Sequence, residues 1–107
     1  MHKIQIISAT NDKNLDLANN IQSTLKEVAK HVDKATVPID CPDIISLESL
    51  QLPLFSFGVK ANEEVLNGLV ESILEANSFI FCAPEYNGGV PPVLSNALTW
   101  ISVQTKD

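Results

Sequence analysis

Residues 79–100, FIFCAPEYNGGVPPVLSNALTW, indicate the fold class more directly than any other part of the chain. They begin with a continuous apolar run at 79–83, which is typical of a strand covered on both faces of a parallel sheet. Two glycines follow, and then Pro91 and Pro92, a residue type that suits the first turn of a helix. Apolar residues continue from there at helical spacing. The stretch therefore predicts a strand, a turn and a helix from about Pro91 to Val103.

A strand and a long helix are predicted at the start of the chain. Residues 3–8, KIQIIS, are rich in β-branched side chains. Apolar residues then recur at spacings of three and four from Leu15 to Val32, which predicts an amphipathic helix of about five turns. Asp12 or Asn14 is expected to cap its first turn.

The middle of the chain predicts a second strand and a second helix. Pro38 and Pro42 place the strand near residues 44–47, with the prolines at its edge or in the approach to it. Residues 49–58, SLQLPLFSFG, are expected to form an irregular apolar loop, and Asn62 is expected to cap the next helix. The order β-α-β-α-β-α indicates a parallel sheet with right-handed crossovers.

The composition argues against several classes of protein. The chain has 107 residues, of which 45% are hydrophobic and 19% are charged, as in an ordinary globular domain. Its net charge of −6 argues against nucleic acid or an anionic membrane as a partner, since both need a basic face. No run approaches the roughly 20 apolar residues of a membrane span, and the N-terminus lacks the features of a signal peptide. We expect a cytoplasmic protein.

The two cysteines, Cys41 and Cys82, do not indicate a metal site or a disulfide. Neither belongs to a CxxC pair, and only His2 and His31 are available to join them at a metal. A disulfide is not expected in a reducing compartment. Cys82 lies in the apolar run and is interpreted as a buried structural thiol.

Two polar loops are predicted at one edge of the sheet. Ligands of open parallel sheets bind at the carboxyl ends of the strands, where the loops after the first and third strands would face each other. In the first loop, the Ser8 and Thr10 hydroxyls and the Asn11 and Asn14 amides are suited to surround a phosphate at a helix N-terminus. The alternative is that these residue types form only a turn and a cap.

The second loop is suited to a flat ring. Gly88 and Gly89 permit positive φ and a close backbone approach, and Tyr86 offers an aromatic surface. Exposed N–H and C=O groups there can pair with the edge of a planar heterocycle. The alternative is a plain strand-to-helix turn with Tyr86 in the core. Glu85 is interpreted as a solvated or a helix-N-terminal carboxylate, since no partner for acid–base chemistry is evident.

Residues 84–100 resemble the NAD(P)H-dependent FMN reductase family, whose pattern after the third strand is approximately P-E-Y-N-x-[GS]-x-P-x-x-L-K-N-A-[LI]-D-W. The chain matches it at PEYNGGVP (84–91) and at LSNALTW (94–100). Residues 49–56, SLQLPLFS, are similar to the family's D-L-x-x-L-P-L-[FY] stretch. The loop after the first strand is similar to the family's G-S-x-R-x-x-S-x-N-x-x-L-A pattern from Asn14 to Ala18. Ser8-Ala9-Thr10 replaces its Gly-Ser start, and its arginine is absent.

The resemblance implies an α/β flavodoxin-like fold, a doubly wound parallel sheet. This chain would form three of its strands, in the order 2-1-3, with three helices. The complete fold has five strands in the order 2-1-3-4-5, and the fourth and fifth are absent here. Residues 1–107 are therefore expected to be a single flavodoxin-like domain that is truncated at its C-terminal end.

The resemblance also implies which residues bind a cofactor. Ser8, Thr10 and Asn14 would bind the phosphate of FMN. Residues 84–88 would line its isoalloxazine ring, mainly through backbone groups. These ring-contact residues are Pro84, Glu85, Tyr86, Asn87 and Gly88.

The implied function is that of an FMN-dependent NAD(P)H oxidoreductase. NAD(P)H would reduce bound FMN, which would pass electrons to a flavin, a quinone or another small-molecule acceptor, so no catalytic side chain is required. The alternative is a non-enzymatic flavodoxin-like electron carrier or interaction module that binds FMN. Members of the family usually form dimers or tetramers. The helix with Leu94, Leu98, Trp100 and Ile101 would provide the contact, unless it packs only within the chain.

Overall fold

The computed structural model of the protein describes residues 2–31 and 38–105. The order of its elements confirms the predicted α/β class. The first predicted helix includes Val32, which lies outside the described residues. Within those residues, no helix combines the length and the apolar character needed to cross a membrane. The elements are the strand β1 (His2–Ser8), the helix α1 (Lys13–His31), the short strands β2 (Ile39–Asp40) and β3 (Ile45–Ser46), the short helix α2 (Leu47–Leu50), the helix α3 (Glu63–Glu75), the strand β4 (Ser78–Cys82) and the helix α4 (Pro92–Thr105).

β1 lies at the centre of a parallel sheet. β4 pairs with residues 4–8 of β1, and β3 pairs with Ile7 and Ser8. Because β3 and β4 share these two partners, they lie along opposite edges of β1. β2 pairs with His2 and Lys3 and is separated from β3 by only a short connection, so both follow the same edge. The predicted order 2-1-3 is confirmed. β2 and β3 together correspond to the predicted second strand, and β4 corresponds to the predicted third strand.

The second strand is interrupted, unlike the single strand that the sequence predicts near residues 44–47. The structure forms two short strands there and begins α2 at Leu47. Pro42 lies between the two strands and has no N–H to give to a ladder. The buried side chain of Gln5 spans the gap, since its Nε2 donates to the carbonyl oxygen of Asp43 at 2.9 Å.

Helices cover both faces of the sheet. Side chains alternate along a strand, so the buried Ile6 and Ile7 of β1 point to opposite faces. Ile6 packs with Ala18 of α1 and with Cys82. Cys82 is therefore a buried thiol, as predicted, and burial raises its pKa. Ile7 belongs to the core beneath α3 and α4, which comprises Ile7, Ala9, Leu47, Leu69, Leu94 and Ala97.

The later helices begin where the sequence predicts. Asn62 caps α3, because its Oδ1 accepts a hydrogen bond from the N–H of Val65 at 3.2 Å. Glu63 and Glu64 follow in the first turn, where acidic residues suit the helix dipole. Pro91 is buried immediately before α4. Capping chemistry therefore gives these helix starts from the sequence alone.

β4 is covered on one face only. The sequence predicts coverage of both faces, and Ile80 and Cys82 do pack against the α1 side. Phe79 and Phe81 point the other way and remain 39% and 44% exposed, with ring centroids 6.2 Å apart. In the part of the chain that the structure describes, β4 pairs with β1 alone. The prediction of complete burial is therefore wrong for these two phenylalanines.

Three hydrogen bonds join residues 53–55 to α4. The Oδ1 of Asn96 accepts from the N–H of Phe55 at 2.8 Å, and its Nδ2 donates to the carbonyl oxygen of Pro53 at 2.9 Å. Nε1 of Trp100 donates to the same carbonyl at 2.8 Å. The indole also packs edge-to-face against Phe55, with centroids 5.0 Å apart. We call Pro53, Phe55, Asn96 and Trp100 the α4 latch, since together they fix the helix that follows the second polar loop.

Candidate functional site

Two loops leave the sheet side by side at its carboxyl end, as predicted. The β1 loop comprises residues 8–14, and the β4 loop comprises residues 83–91. β1 and β4 are adjacent and pair Ser8 with Cys82. Beyond this pair, the N–H of Ala9 donates to the carbonyl oxygen of Cys82 at 2.9 Å. The ladder therefore brings the starts of the two loops together.

The β1 loop is held in shape by its own polar side chains. Ser8 is buried, and its hydroxyl donates to the carbonyl oxygen of Thr10 at 2.6 Å. Oγ1 of Thr10 donates to the carboxylate of Asp12 at 2.7 Å. The backbone N–H and Nδ2 of Asn14 donate to the same carboxylate at 3.2 Å and 3.1 Å. Two of the predicted phosphate ligands, Thr10 and Asn14, thus converge on Asp12.

Asp12 is the cap of α1, one of the two residues that the sequence predicts for this role. Its carbonyl oxygen accepts from the N–H groups of Leu15 and Asp16, and its carboxylate accepts from the N–H of Asn14 in the first turn. The hydrogen bonds from Thr10 and then Asn14 hold the pKa of the Asp12 carboxyl below its ordinary value of 3.8. The carboxylate is therefore ionised at neutral pH.

Residues of β3 and α2 form hydrogen bonds with the β1 loop. The N–H of Asn11 donates to the carboxylate of Glu48 at 2.9 Å. The side-chain amide of Asn11 forms hydrogen bonds with the hydroxyls of Ser46 and Ser49. The sequence predicts Asn11 beside a phosphate, whereas the structure pairs its side-chain amide with Ser46 of β3 and Ser49 of α2. Glu48 lies 37 positions away in the chain, so no local pattern reveals this contact.

The β4 loop contains a tight hairpin turn. The N–H of Tyr86 donates to the carbonyl oxygen of Gly89 at 3.1 Å, and the N–H of Gly89 donates to that of Tyr86 at 2.9 Å. Between them, Asn87 and Gly88 have φ angles of 52° and 76°, which is typical of a type I′ turn. The Asn-Gly dipeptide is a strong local signal for this turn. The turn is therefore set by Asn87-Gly88, and not by the pair Gly88-Gly89 on which the prediction of this loop rests.

The predicted ring-contact residues lie around this turn. Tyr86 is 49% exposed, so the alternative that places it in the core is wrong. Glu85, Asn87 and Gly88 are exposed, and Pro84 is half-buried. The backbone groups of Tyr86 are already paired within the turn. Backbone groups of the residues next to Tyr86 would therefore pair with the edge of a planar ring.

The two loops fit a flavin unequally. At the β4 loop, exposed backbone groups and a half-exposed tyrosine suit the edge and face of an isoalloxazine ring. At the β1 loop, donors suited to a phosphate already bind the carboxylates of Asp12 and Glu48. Lys13 is the only cationic side chain in residues 8–14. In this arrangement the ring end of the site fits FMN, and the phosphate end does not.

Gly88 and Gly68 provide a matched pair of alanine substitutions. Gly88→Ala adds a Cβ to a residue with φ of 76°. That conformation is unfavourable for L-residues, so the free energy of unfolding should fall by about 1 kcal/mol. Gly68→Ala adds a Cβ in open space within α3 and should raise it by about 0.5–1 kcal/mol. Urea unfolding measures the change in the free energy of unfolding for both variants. Changes of the same sign in the two variants would contradict the turn at residues 86–89.

Known proteins similar to this chain agree with the observed fold. An azoreductase from Bacillus anthracis, known from a crystal structure, superposes with a TM-score of 0.66 at 18% identity. The alignment covers 94% of this chain and 55% of that one, and it shows that the two share a fold. An NADPH:quinone oxidoreductase of Arabidopsis thaliana is 41% identical over 54 residues, which are 48% of this chain and 28% of that protein.

The chain thus spans about half of the azoreductase and less than a third of the quinone oxidoreductase. A family model described as NADPH-dependent FMN reductase matches residues 2–107. The predicted family is thereby confirmed, and its description specifies the two cofactors that the sequence predicts, FMN and a nicotinamide. This protein belongs to the NADPH-dependent FMN reductase family.

Proposed function

We propose that this chain carries the flavin site of an NAD(P)H-dependent oxidoreductase. Electrons would pass from a nicotinamide through bound FMN to a flavin, a quinone or another small acceptor. The observation that carries the proposal is the placement of the β4 turn beside the β1 loop, on adjacent strands at the carboxyl edge of the sheet. The family match supports the two cofactors, and the name of the Arabidopsis relative supports a quinone as acceptor.

The β4 loop would hold the ring. Backbone groups of residues 84–88 would pair with its edge, and Tyr86 would cover part of its surface. Two backbone hydrogen bonds close this turn, and the buried Pro91 follows it. The α4 latch then fixes the helix that begins after the turn.

The β1 loop would lie at the phosphate end of the flavin. Thr10 and Asn14 would contact a phosphate once the Asp12 carboxylate gives up their hydrogen bonds. Ser8 would act indirectly, since it is buried and its hydroxyl supports the carbonyl of Thr10. The loop therefore offers polar donors with little positive charge.

When bound, FMN would supply the chemistry of hydride and electron transfer. The contribution of the chain is to bind the ring, orient it and keep water from one side of it. Glu85 is exposed beside the turn, and the proposal needs no side chain as a nucleophile or as a proton donor.

Nicotinamide oxidation with added FMN tests this function. We expect FMN to bind with a stoichiometry of one per chain, and NADPH or NADH to be consumed when FMN and a quinone are both present. Omission of FMN should abolish consumption. FMN binding without consumption with any acceptor would favour the electron carrier, and absence of flavin binding would contradict both functions.

Self-association and a cytoplasmic location complete the proposal. Leu94 and Trp100 of α4 are buried within the chain, so internal packing accounts for both. Leu98 is 46% exposed and Ile101 is half-buried, so a contact with a second copy would use these two residues. Sedimentation over a range of concentrations tests for a dimer or a tetramer.

A further inference from the structure

The side chain of Asp12 places a negative charge at the N-terminus of α1. The Asp12 carboxylate accepts hydrogen bonds from Oγ1 of Thr10 and from both the N–H and Nδ2 of Asn14. A hydroxyl, a first-turn N–H and a side-chain amide are the donors that a phosphate would use at a helix N-terminus. Asp12 thus has the set of partners that a bound phosphate would need.

A second carboxylate strengthens this negative character. Glu48 of α2 accepts the N–H of Asn11 at 2.9 Å. Lys13, the first residue of α1, is the only cation in residues 8–14, and Asp12 is the only acid there. Glu48 adds a second carboxylate from α2. A phosphate that entered the loop would meet a net negative charge and would compete for donors that are already bound.

We propose that Asp12 is a specificity-determining residue of the flavin site, because its carboxylate competes with the flavin phosphate for the donors of Thr10 and Asn14. This inference rests on the proposed function. A site of this kind selects its ligand mainly by the isoalloxazine ring held at the β4 loop. It therefore binds riboflavin, which has the same ring without a phosphate, about as tightly as FMN.

Ordinary helix capping explains the position of Asp12, but it predicts no effect of the Asp12 charge on FMN binding. A cap needs an acceptor for a first-turn N–H, and asparagine serves as well as aspartate. The charge is what repels a phosphate, because like charges at short range disfavour each other. Asp12→Asn separates the two roles, since it keeps the acceptor and the side-chain size and removes the charge.

The experiment measures dissociation constants for FMN and riboflavin by quenching of flavin fluorescence. For the wild-type chain we expect the two constants to agree within about threefold, since the phosphate gains little from the loop. Asp12→Asn should tighten FMN binding by at least about fivefold through removal of a nearby like charge, while riboflavin changes by less than about twofold.

Asp16→Asn is the matched control. Asp16 is exposed in the first turn of the same helix, so this change removes the same charge about one turn away. It should alter the affinity for FMN by less than Asp12→Asn does, because the Coulomb energy between two charges falls as their separation grows. Circular dichroism of each variant establishes that it is folded. If Asp12→Asn does not fold, Asp12→Ser provides the second variant, because serine also caps helices.

Each outcome bears on the inference. Tighter binding of FMN alone in the Asp12 variant supports it. An unchanged ratio of FMN to riboflavin affinity would overturn it and leave the proposed function standing. A wild-type chain that prefers FMN by a hundredfold or so would also overturn it, because that preference requires a productive phosphate site. Failure of wild type and variants to bind either flavin would overturn both the inference and the proposed function.

Discussion

Trp100→Ala is expected to lower the free energy of unfolding by about 3–5 kcal/mol, the range for loss of a large buried aromatic side chain. The indole of Trp100 is 5% exposed. It packs against Phe55 at a centroid distance of 5.0 Å and donates to the carbonyl oxygen of Pro53 at 2.8 Å. Stabilities of whole domains are about 5–15 kcal/mol, so this loss is a large fraction of the total.

Urea unfolding followed by far-ultraviolet circular dichroism measures this loss, because Trp100 is the only tryptophan and the variant lacks its fluorescence. Trp100→Phe serves as the control, since it keeps an aromatic ring and removes the indole N–H. We expect this variant to lose about 0.5–1.5 kcal/mol, the net contribution of one hydrogen bond, because Asn96 still donates to the Pro53 carbonyl. A loss of less than about 1 kcal/mol in Trp100→Ala would contradict the latch that joins residues 53–55 to α4.

Asn96→Ala should lower the free energy of unfolding by about 2–3 kcal/mol, because it removes two hydrogen bonds to backbone groups in a partly buried contact. Oδ1 of Asn96 accepts the N–H of Phe55, and Nδ2 donates to Pro53. Asn19→Ala, at an exposed position within α1, makes the same chemical change. It should stay within about 0.5 kcal/mol of wild type. Thermal or urea unfolding of the two variants side by side gives the comparison.

A double variant adds a sharper test of the latch. Asn96 and Trp100 donate to the same carbonyl oxygen, that of Pro53, so their contributions are coupled. The loss in Asn96→Ala/Trp100→Ala should exceed the sum of the two single losses by about 0.5 kcal/mol or more, because only the double variant removes both of these donors to the Pro53 carbonyl. Full additivity would show that the two side chains act on separate parts of the structure.

The order of elements was predictable because local chemistry fixes it. Alternating strand and helix patterns gave β1, α1, α3, β4 and α4, and Asn62 and Pro91 marked two helix starts. The division of the second strand was not predictable, because it depends on Pro42 and on a contact from Gln5 to Asp43, residues that are distant in sequence. The same limit applies to β4, whose exposed phenylalanines depend on which elements lie beside it.

The location of the candidate site was predictable, but its internal bonding was not. Parallel topology alone places the β1 and β4 loops at one edge. Thr10 and Asn14 could be identified as polar residues at a helix N-terminus, yet a residue list does not say which acceptor they bind. In the structure that acceptor is Asp12, which the sequence offers only as a cap. Asn96 and Trp100 match the family pattern, and their bonds to Pro53 show a structural role within it.

Amide chemical shifts during an FMN titration test the central claim most directly, namely that the flavin binds between the β1 and β4 loops. In two-dimensional 15N–1H spectra we predict saturable shifts in residues 8–14 and 84–90. Amides at the far end of the sheet, such as those of Lys3 and Asn77, which are joined through the Lys3 carbonyl, should not move. Shifts centred on that far end, or no shifts at any FMN concentration, would contradict the account.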